Sequence, residues 1–201
     1  YLSNNEIKFL KKHKPWGIIL FSRNIYTIKQ TQKLTNKIKT LFKDKNYPIL
    51  IDEEGGRVSR LRAFLDSSIF SAEYFGKLYK KDYKKFSLYF NVYINQISYL
   101  LHTLGINLNT VPNLDVKRSF TNKIIGDRSF SSDNKIVSKI GDFSISLFHK
   151  NRIGTIIKHI PGHGLAKSDS HKKLPVINYS IKYLLKNDFS VFKNKKSLFA
   201  M

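Results

Sequence analysis

The sequence predicts an α/β fold, a partial (β/α)8 barrel with about five parallel strands, and three observations carry that prediction. Apolar runs of strand length recur at 17–21, 48–51, 106–111, 154–157 and 197–201. They are continuous rather than alternating, as expected of strands covered on both faces. Between them lie longer stretches whose apolar residues recur at helical spacing, so strand and helix alternate as they do in parallel βαβ units. Finally, the polar residues able to do chemistry follow the strands: Arg23 and Asn24, Asp52, Asn113 and Asp115, Lys158 and His159. That end of the strands is where open α/β sheets and (β/α)8 barrels keep their active sites. No strand is followed by a Gly-x-Gly-x-x-Gly turn, which argues against a dinucleotide-binding fold.

The elements follow in order. Ser3-Asn4-Asn5-Glu6 is a capping box that opens a short helix with Ile7, Phe9 and Leu10 facing inward, and Pro15 stops it. After the first strand, Thr27-Ile28-Lys29-Gln30 is a second capping box, starting a helix with Leu34, Ile38, Leu41 and Phe42 on one side. The second strand ends at Asp52. A Ser/Phe-rich connection leads to one long helix from about Lys81 to Leu104, with Gly105 as its C′ residue. The third strand ends at Pro112-Asn113. Ser132-Asp133 opens a helix carrying Ile136, Val137, Ile140 and Phe143, and the fourth strand runs straight into Lys158-His159. Ser180 caps a last helix expected to continue through Phe192 before the fifth strand.

Composition bounds the partners. A chain of 201 residues is large enough for one real core, and residues 1–201 read as one domain. No apolar run approaches the roughly 20 residues of a membrane helix. With Cys 0, disulfides and thiolate metal sites are excluded, which favours a reducing compartment. Net charge is +22, but the lysines are spread along almost the whole chain, for example Lys11-Lys12, Lys80-Lys81 and Lys195-Lys196. A single-strand reader gathers its cations beside stacking aromatics, so the charge is read as compositional drift and no nucleic-acid partner is expected.

Three of the 6 histidines fall in the window 159–171, in Lys158-His159-Ile160-Pro161-Gly162-His163-Gly164 and Asp169-Ser170-His171. Its proline and glycines rule out a continuous helix, so a loop presents these groups. Three readings stand side by side. A zinc site needs three or four converging ligands, and Pro161-Gly162 removes helical convergence of His159 with His163. Structural histidines would be hydrogen-bonded within the loop. As an acid/base pair, Asp169 takes the Nδ1 proton of His171, orients the ring and leaves Nε2 to exchange a proton. Elsewhere, Asp52-Glu53-Glu54-Gly55-Gly56-Arg57-Val58-Ser59-Arg60 sits at a strand end. Asp52 is read as a ligand contact, while Glu53, Glu54 and Arg57 are read as an ion-pair cluster tying neighbouring loops. In Gly126-Asp127-Arg128-Ser129-Phe130, Arg128 is a candidate for charge-assisted hydrogen bonds to a substrate.

Together these segments resemble family 3 glycoside hydrolases in their bacterial β-N-acetylglucosaminidase (NagZ-type) branch, over about 16–201. The Asp-Ser-His extension is the most specific part, since related β-glucosidases lack it. The resemblance implies a (β/α)8 barrel that removes terminal non-reducing N-acetylglucosamine with retention, from muropeptides in cytoplasmic cell-wall recycling, without a cofactor or metal and as a monomer. It makes His171 the general acid/base and Asp169 its orienting partner, with Asp52, Arg60, Arg128, Lys158 and His159 binding the sugar. Ile160 stands where the motif usually has phenylalanine, and Glu53 where glutamine is common. The branch's nucleophile is an aspartate on a later strand, so the chain is expected to be incomplete at its C-terminus, and at its N-terminus, and inactive as written. The alternative class is a non-catalytic carbohydrate-binding or scaffold protein with a degenerate barrel.

Overall fold

In the computed structural model, which describes residues 2–169 and 172–201, five parallel strands form one sheet in the order β1-β2-β3-β4-β5. The strands are β1 (Ile18–Leu20), β2 (Ile49–Ile51), β3 (Leu108–Asn109), β4 (Gly154–Ile157) and β5 (Phe199–Ala200). Each strand pairs with the next in sequence, with Ile19 opposite Leu50, Leu50 opposite Leu108, Leu108 opposite Gly154 and Ile156 opposite Phe199. Sequential order means that every right-handed crossover turns the same way, which puts the helices on one face. That is the winding of a (β/α)8 barrel; a doubly wound sheet would reverse direction midway.

Side-chain alternation then divides the strands between two apolar clusters. Ile18, Leu20, Ile49, Ile51 and Ile157 belong to the main core with the helices, whereas Ile19, Leu50, Leu108 and Ile156 form a small cluster on the opposite face. The edge strands β1 and β5 are linked through flanking aromatics, because Trp16 and Phe199 meet edge-to-face with centroids 4.7 Å apart.

The helices are α1 (Asn4–His13), α2 (Ile28–Phe42), α3 (Ala72–Lys81), α4 (Tyr83–Thr103), α5 (Asn134–Lys150) and α6 (Ile181–Lys186). The first capping box is complete: Ser3 Oγ accepts from Glu6 N–H, and the Glu6 carboxylate accepts from Ser3 N–H at 2.7 Å. Phe9, expected inward, is exposed on α1 and packs on His13. At α2, Thr27 accepts from Gln30 N–H, but the Gln30 side chain reaches back to Tyr26 N–H. Gly105 does close α4, with φ +74° and no room for a Cβ against Thr35 Oγ1.

Two helix expectations are corrected. The Ser/Phe-rich connection contains α3, capped by Ser71, and Asp82 separates it from α4 by N-capping the second helix. The last helix stops at Lys186, and only a 3-10 turn at Ser190–Phe192 follows. There Asp188 is drawn into the interior to meet Arg118 at 3.1 Å, which an uninterrupted helix would not require.

Candidate functional site

The period of two that builds the inner cluster also builds the site. Two residues beyond Leu50, Leu108 and Ile156 come Asp52, Thr110 and Lys158, on the same face and past the carboxyl ends of β2, β3 and β4. Lys158 is 2% exposed, and its ammonium has an acceptor for each of its three protons. They are Asp52 Oδ1 at 2.7 Å, Glu54 Oε1 at 2.6 Å and Thr110 Oγ at 3.0 Å. Thr110 in turn donates to Asp52, whose other oxygen lies 3.6 Å from Arg60.

Glu54 carries the network onward. Its two oxygens take Arg128 in a bidentate pair, both bonds 2.8 Å, the fork geometry that guanidinium and carboxylate share. Arg128 also donates to Ile124 C=O and approaches His159 Nε2 at 3.3 Å. The other ring nitrogen, His159 Nδ1, is 2.6 Å from Asp115 Oδ2, and Asp115 is fully buried. Asp52 and Glu54 thus face Lys158, Arg60 and Arg128, while Asp115 is paired with His159.

The pairing sets the protonation. Burial works to raise the Asp52 carboxyl, but the charge and hydrogen bond of Lys158 outweigh it and hold the group below its usual range. Glu54 is held low in the same way, its burial outweighed by Arg128 and Lys158. For Arg128, burial works downward, yet the bonds to Glu54 push it up. Glu53 differs: burial raises it although Arg60 N–H, Ser59, Leu61 N–H and Ser67 all donate to it.

The expected sugar contacts Asp52, Arg60, Arg128, Lys158 and His159 therefore converge on one cluster. Asp169 lies on the loop leaving His159, where its backbone carbonyl accepts from Lys172 N–H and Lys173 N–H. His171 lies outside the described residues. The loop is stitched down on its way: His163 N–H donates to Asp115 Oδ1, Thr121 Oγ donates to Gly164 C=O, and Asn122 Nδ2 donates to Lys167 C=O. Gly164 is required there, because a Cβ would stand 1.9 Å from Val116 C=O. Arg57 ties loops as expected, pairing with Asp127 at 2.7 Å and donating to Lys123 C=O and Ile124 C=O.

Sequence reasoning left out Thr110 and the reach of Glu54, which joins the ion-pair cluster to the ligand-facing residues. Alternation along the third strand marks Thr110, two places after Leu108, as facing the same way. Among the described residues, no group of three or more His, Cys, Asp or Glu is placed to hold a metal. No helix among them is long and apolar enough to cross a membrane.

Comparison with known proteins agrees on one family. Residues 2–195 match the family described as Glycosyl hydrolase family 3 N terminal domain. A Beta-hexosaminidase of Aromatoleum aromaticum is 31% identical over 181 residues, covering 89% of this chain and 50% of that protein. A Beta-hexosaminidase of Actinobacillus succinogenes is 31% identical over 192 residues, covering 96% and 54%. Among solved structures, NagZ from Neisseria gonorrhoeae in complex with N-trifluoroacetyl-D-glucosamine superposes with a TM-score of 0.88 at 28% identity, over 100% of this chain and 59% of that one. The chain thus spans about half the length of these two curated relatives.

Proposed function

The chain belongs to glycosyl hydrolase family 3 over residues 2–195, and on that premise we propose that it carries the sugar subsite of a retaining β-N-acetylglucosaminidase. The observation that carries the reading is the Lys158-centred cluster at the carboxyl ends of neighbouring strands. A sugar presents hydroxyls that both donate and accept. Asp52 accepts from them, Arg60 and Arg128 donate, His159 completes the ring of contacts, and Lys158, its three protons already taken, acts on the sugar by holding Asp52 and Glu54 in place. Because these groups already hold one another, the cluster is preorganised before the sugar arrives. The relatives named Beta-hexosaminidase and the neighbour holding an N-acylated glucosamine support the choice of N-acetylglucosamine.

In the proposed reaction, His171 gives its Nε2 proton to the glycosidic oxygen as the bond to the anomeric carbon breaks, and Asp169 accepts from Nδ1 and stabilises the imidazolium. A carboxylate takes the anomeric carbon, the aglycone leaves with the proton, and His171 then deprotonates the water that releases the sugar. That carboxylate is expected on a strand beyond Met201, so residues 1–201 alone are proposed to hold sugar without turning it over. The substrate is proposed to be a muropeptide handled in the cytoplasm by a monomer.

The test is release of chromophore from an aryl β-N-acetylglucosaminide by the gene product. His171→Ala is expected to cut the rate by about 10²–10⁴. Equal rates for the two proteins would remove His171 from its role. Sugar binding with no turnover by the gene product would favour the non-catalytic alternative.

A further inference from the structure

The backbone ladder between β2 and β3 breaks off just where the site begins. Thr110 N–H donates to Ile51 C=O at 2.9 Å. In a parallel pair the next rung of that kind runs two residues further along both strands, here from residue 112 to Glu53 C=O. Residue 112 is Pro112, which has no N–H to give. Glu53 is 2% exposed, so its backbone groups need a partner from within the protein.

A side chain supplies both partners. Asn109, fully buried on β3, accepts from Glu53 N–H through Oδ1 at 3.0 Å and donates from Nδ2 to Glu53 C=O at 2.9 Å. A primary amide presents an acceptor and a donor side by side, as a peptide group does. The residue it grips is central to the site. The side chains flanking it, Asp52 and Glu54, both reach Lys158, at 2.7 and 2.6 Å. The Glu53 carboxylate takes other partners, among them Arg60 N–H at 2.7 Å.

We infer that Asn109 is a positioning residue: by clamping the Glu53 backbone it sets Asp52, Glu54 and, through the Glu53 carboxylate, Arg60 in the geometry that receives the sugar. That these groups read a sugar rests on the proposed function; that Asn109 holds them does not. Two residues earlier, Asn107 provides a built-in comparison. Its Oδ1 accepts from Ile49 N–H at 2.8 Å, and its Nδ2 donates to Asn46 C=O and Tyr47 C=O. It grips backbone in the same manner, but at the amino end of β2, away from the cluster. Losing either asparagine removes side-chain bonds to the backbone; only the loss of Asn109 reaches the site.

The experiment has two arms, and leucine, similar in shape but without the bonds, replaces each asparagine in turn. In the first, urea unfolding gives the stability lost through Asp52→Asn in three backgrounds. Side chains in one network do not act additively. Asp52→Asn is therefore expected to cost less beside Asn109→Leu than in the wild type, and as much beside Asn107→Leu as in the wild type. Equal costs in all three backgrounds overturn the inference, whatever the protein binds. In the second, calorimetry of the gene product with N-acetylglucosamine reports affinity and the fraction of binding-competent protein separately. Asn109→Leu is expected to weaken binding by roughly tenfold at unchanged stoichiometry, and Asn107→Leu to leave the affinity as it is. If Asn109→Leu does not fold, Asn109→Thr, whose hydroxyl suits a strand, takes its place in both arms. Wild-type affinity in the folded Asn109 variant, with only the competent fraction reduced, refutes the positioning role. Coupling to Asp52 in a wild type that does not bind N-acetylglucosamine sinks the functional reading and leaves the clamp standing.

Discussion

Replacing Lys158 with methionine is expected to destabilise the fold by about 3–5 kcal/mol at pH 7, the usual cost of removing one partner from a buried ion pair. The magnitude follows from what stays behind. Methionine fills the volume of a side chain that is 2% exposed, so the loss is electrostatic. Glu54 keeps its two bonds to Arg128, whereas Asp52 keeps only Thr110 and an Arg60 guanidinium 3.6 Å away. The uncompensated charge is therefore chiefly that of Asp52.

Its pH dependence gives the sign. In the wild type, Asp52 and Glu54 are held below their unfolded values, so their contribution is present above about pH 4 and is lost as pH falls through the folded values. Without Lys158, burial dominates Asp52 and raises it, so the variant recovers stability as pH drops and the carboxyl takes a proton. The gap between the two proteins should be full at pH 7 and should narrow towards pH 4. Urea unfolding followed by circular dichroism measures it, and adding Asp52→Asn to the variant should recover part of the loss. A gap below about 1 kcal/mol at pH 7, or one indifferent to pH, would refute the reasoning.

Two further substitutions test the surroundings of the site. Gly164→Ala drives a methyl group into Val116 C=O, 1.9 Å from the ideal Cβ, and is expected to cost about 1–3 kcal/mol in urea unfolding; a wild-type midpoint would show that the loop gives way freely. Glu53 is raised by burial, so its ionised form opposes folding more as pH climbs through its folded value. Glu53→Gln is therefore expected to change stability by less than about 1 kcal/mol at pH 7 and to remove that pH dependence, while Glu53→Ala strands its donors and costs about 1–3 kcal/mol. Equal losses for the two would mean that charge, not donor satisfaction, matters at that position.

Local signals in the sequence gave most of the fold. Ser3, Thr27, Asp133 and Ser180 all cap the helices they precede, because capping is decided within a few residues. The strands were legible as apolar runs, although β3 is only Leu108–Asn109. Helix α3 was hidden for a tertiary reason. It carries Gly76, a poor helix former, where a Cβ would stand 1.6 Å from Phe130 C=O, so the glycine serves a close approach invisible along the chain. The break after Lys186 has a similar origin in Asp188 and Arg118. For the site, the strand-end motifs nominated residues that do converge, but not who holds whom. Glu54 meets Arg128 and Lys158 across long stretches of chain, and Asp115 meets His159 likewise. Such pairings are set by strand register, which no short motif encodes.

Trp16 is the only tryptophan of the chain, and it rests on Phe199 from the opposite margin of the sheet. An intrinsic fluorophore thus sits where β1 and β5 come together. Its emission should follow the distance between β1 and β5, which approach when the strands between them are in place, so optical unfolding curves of residues 1–201 would report the sheet as a whole, not the melting of any single helix.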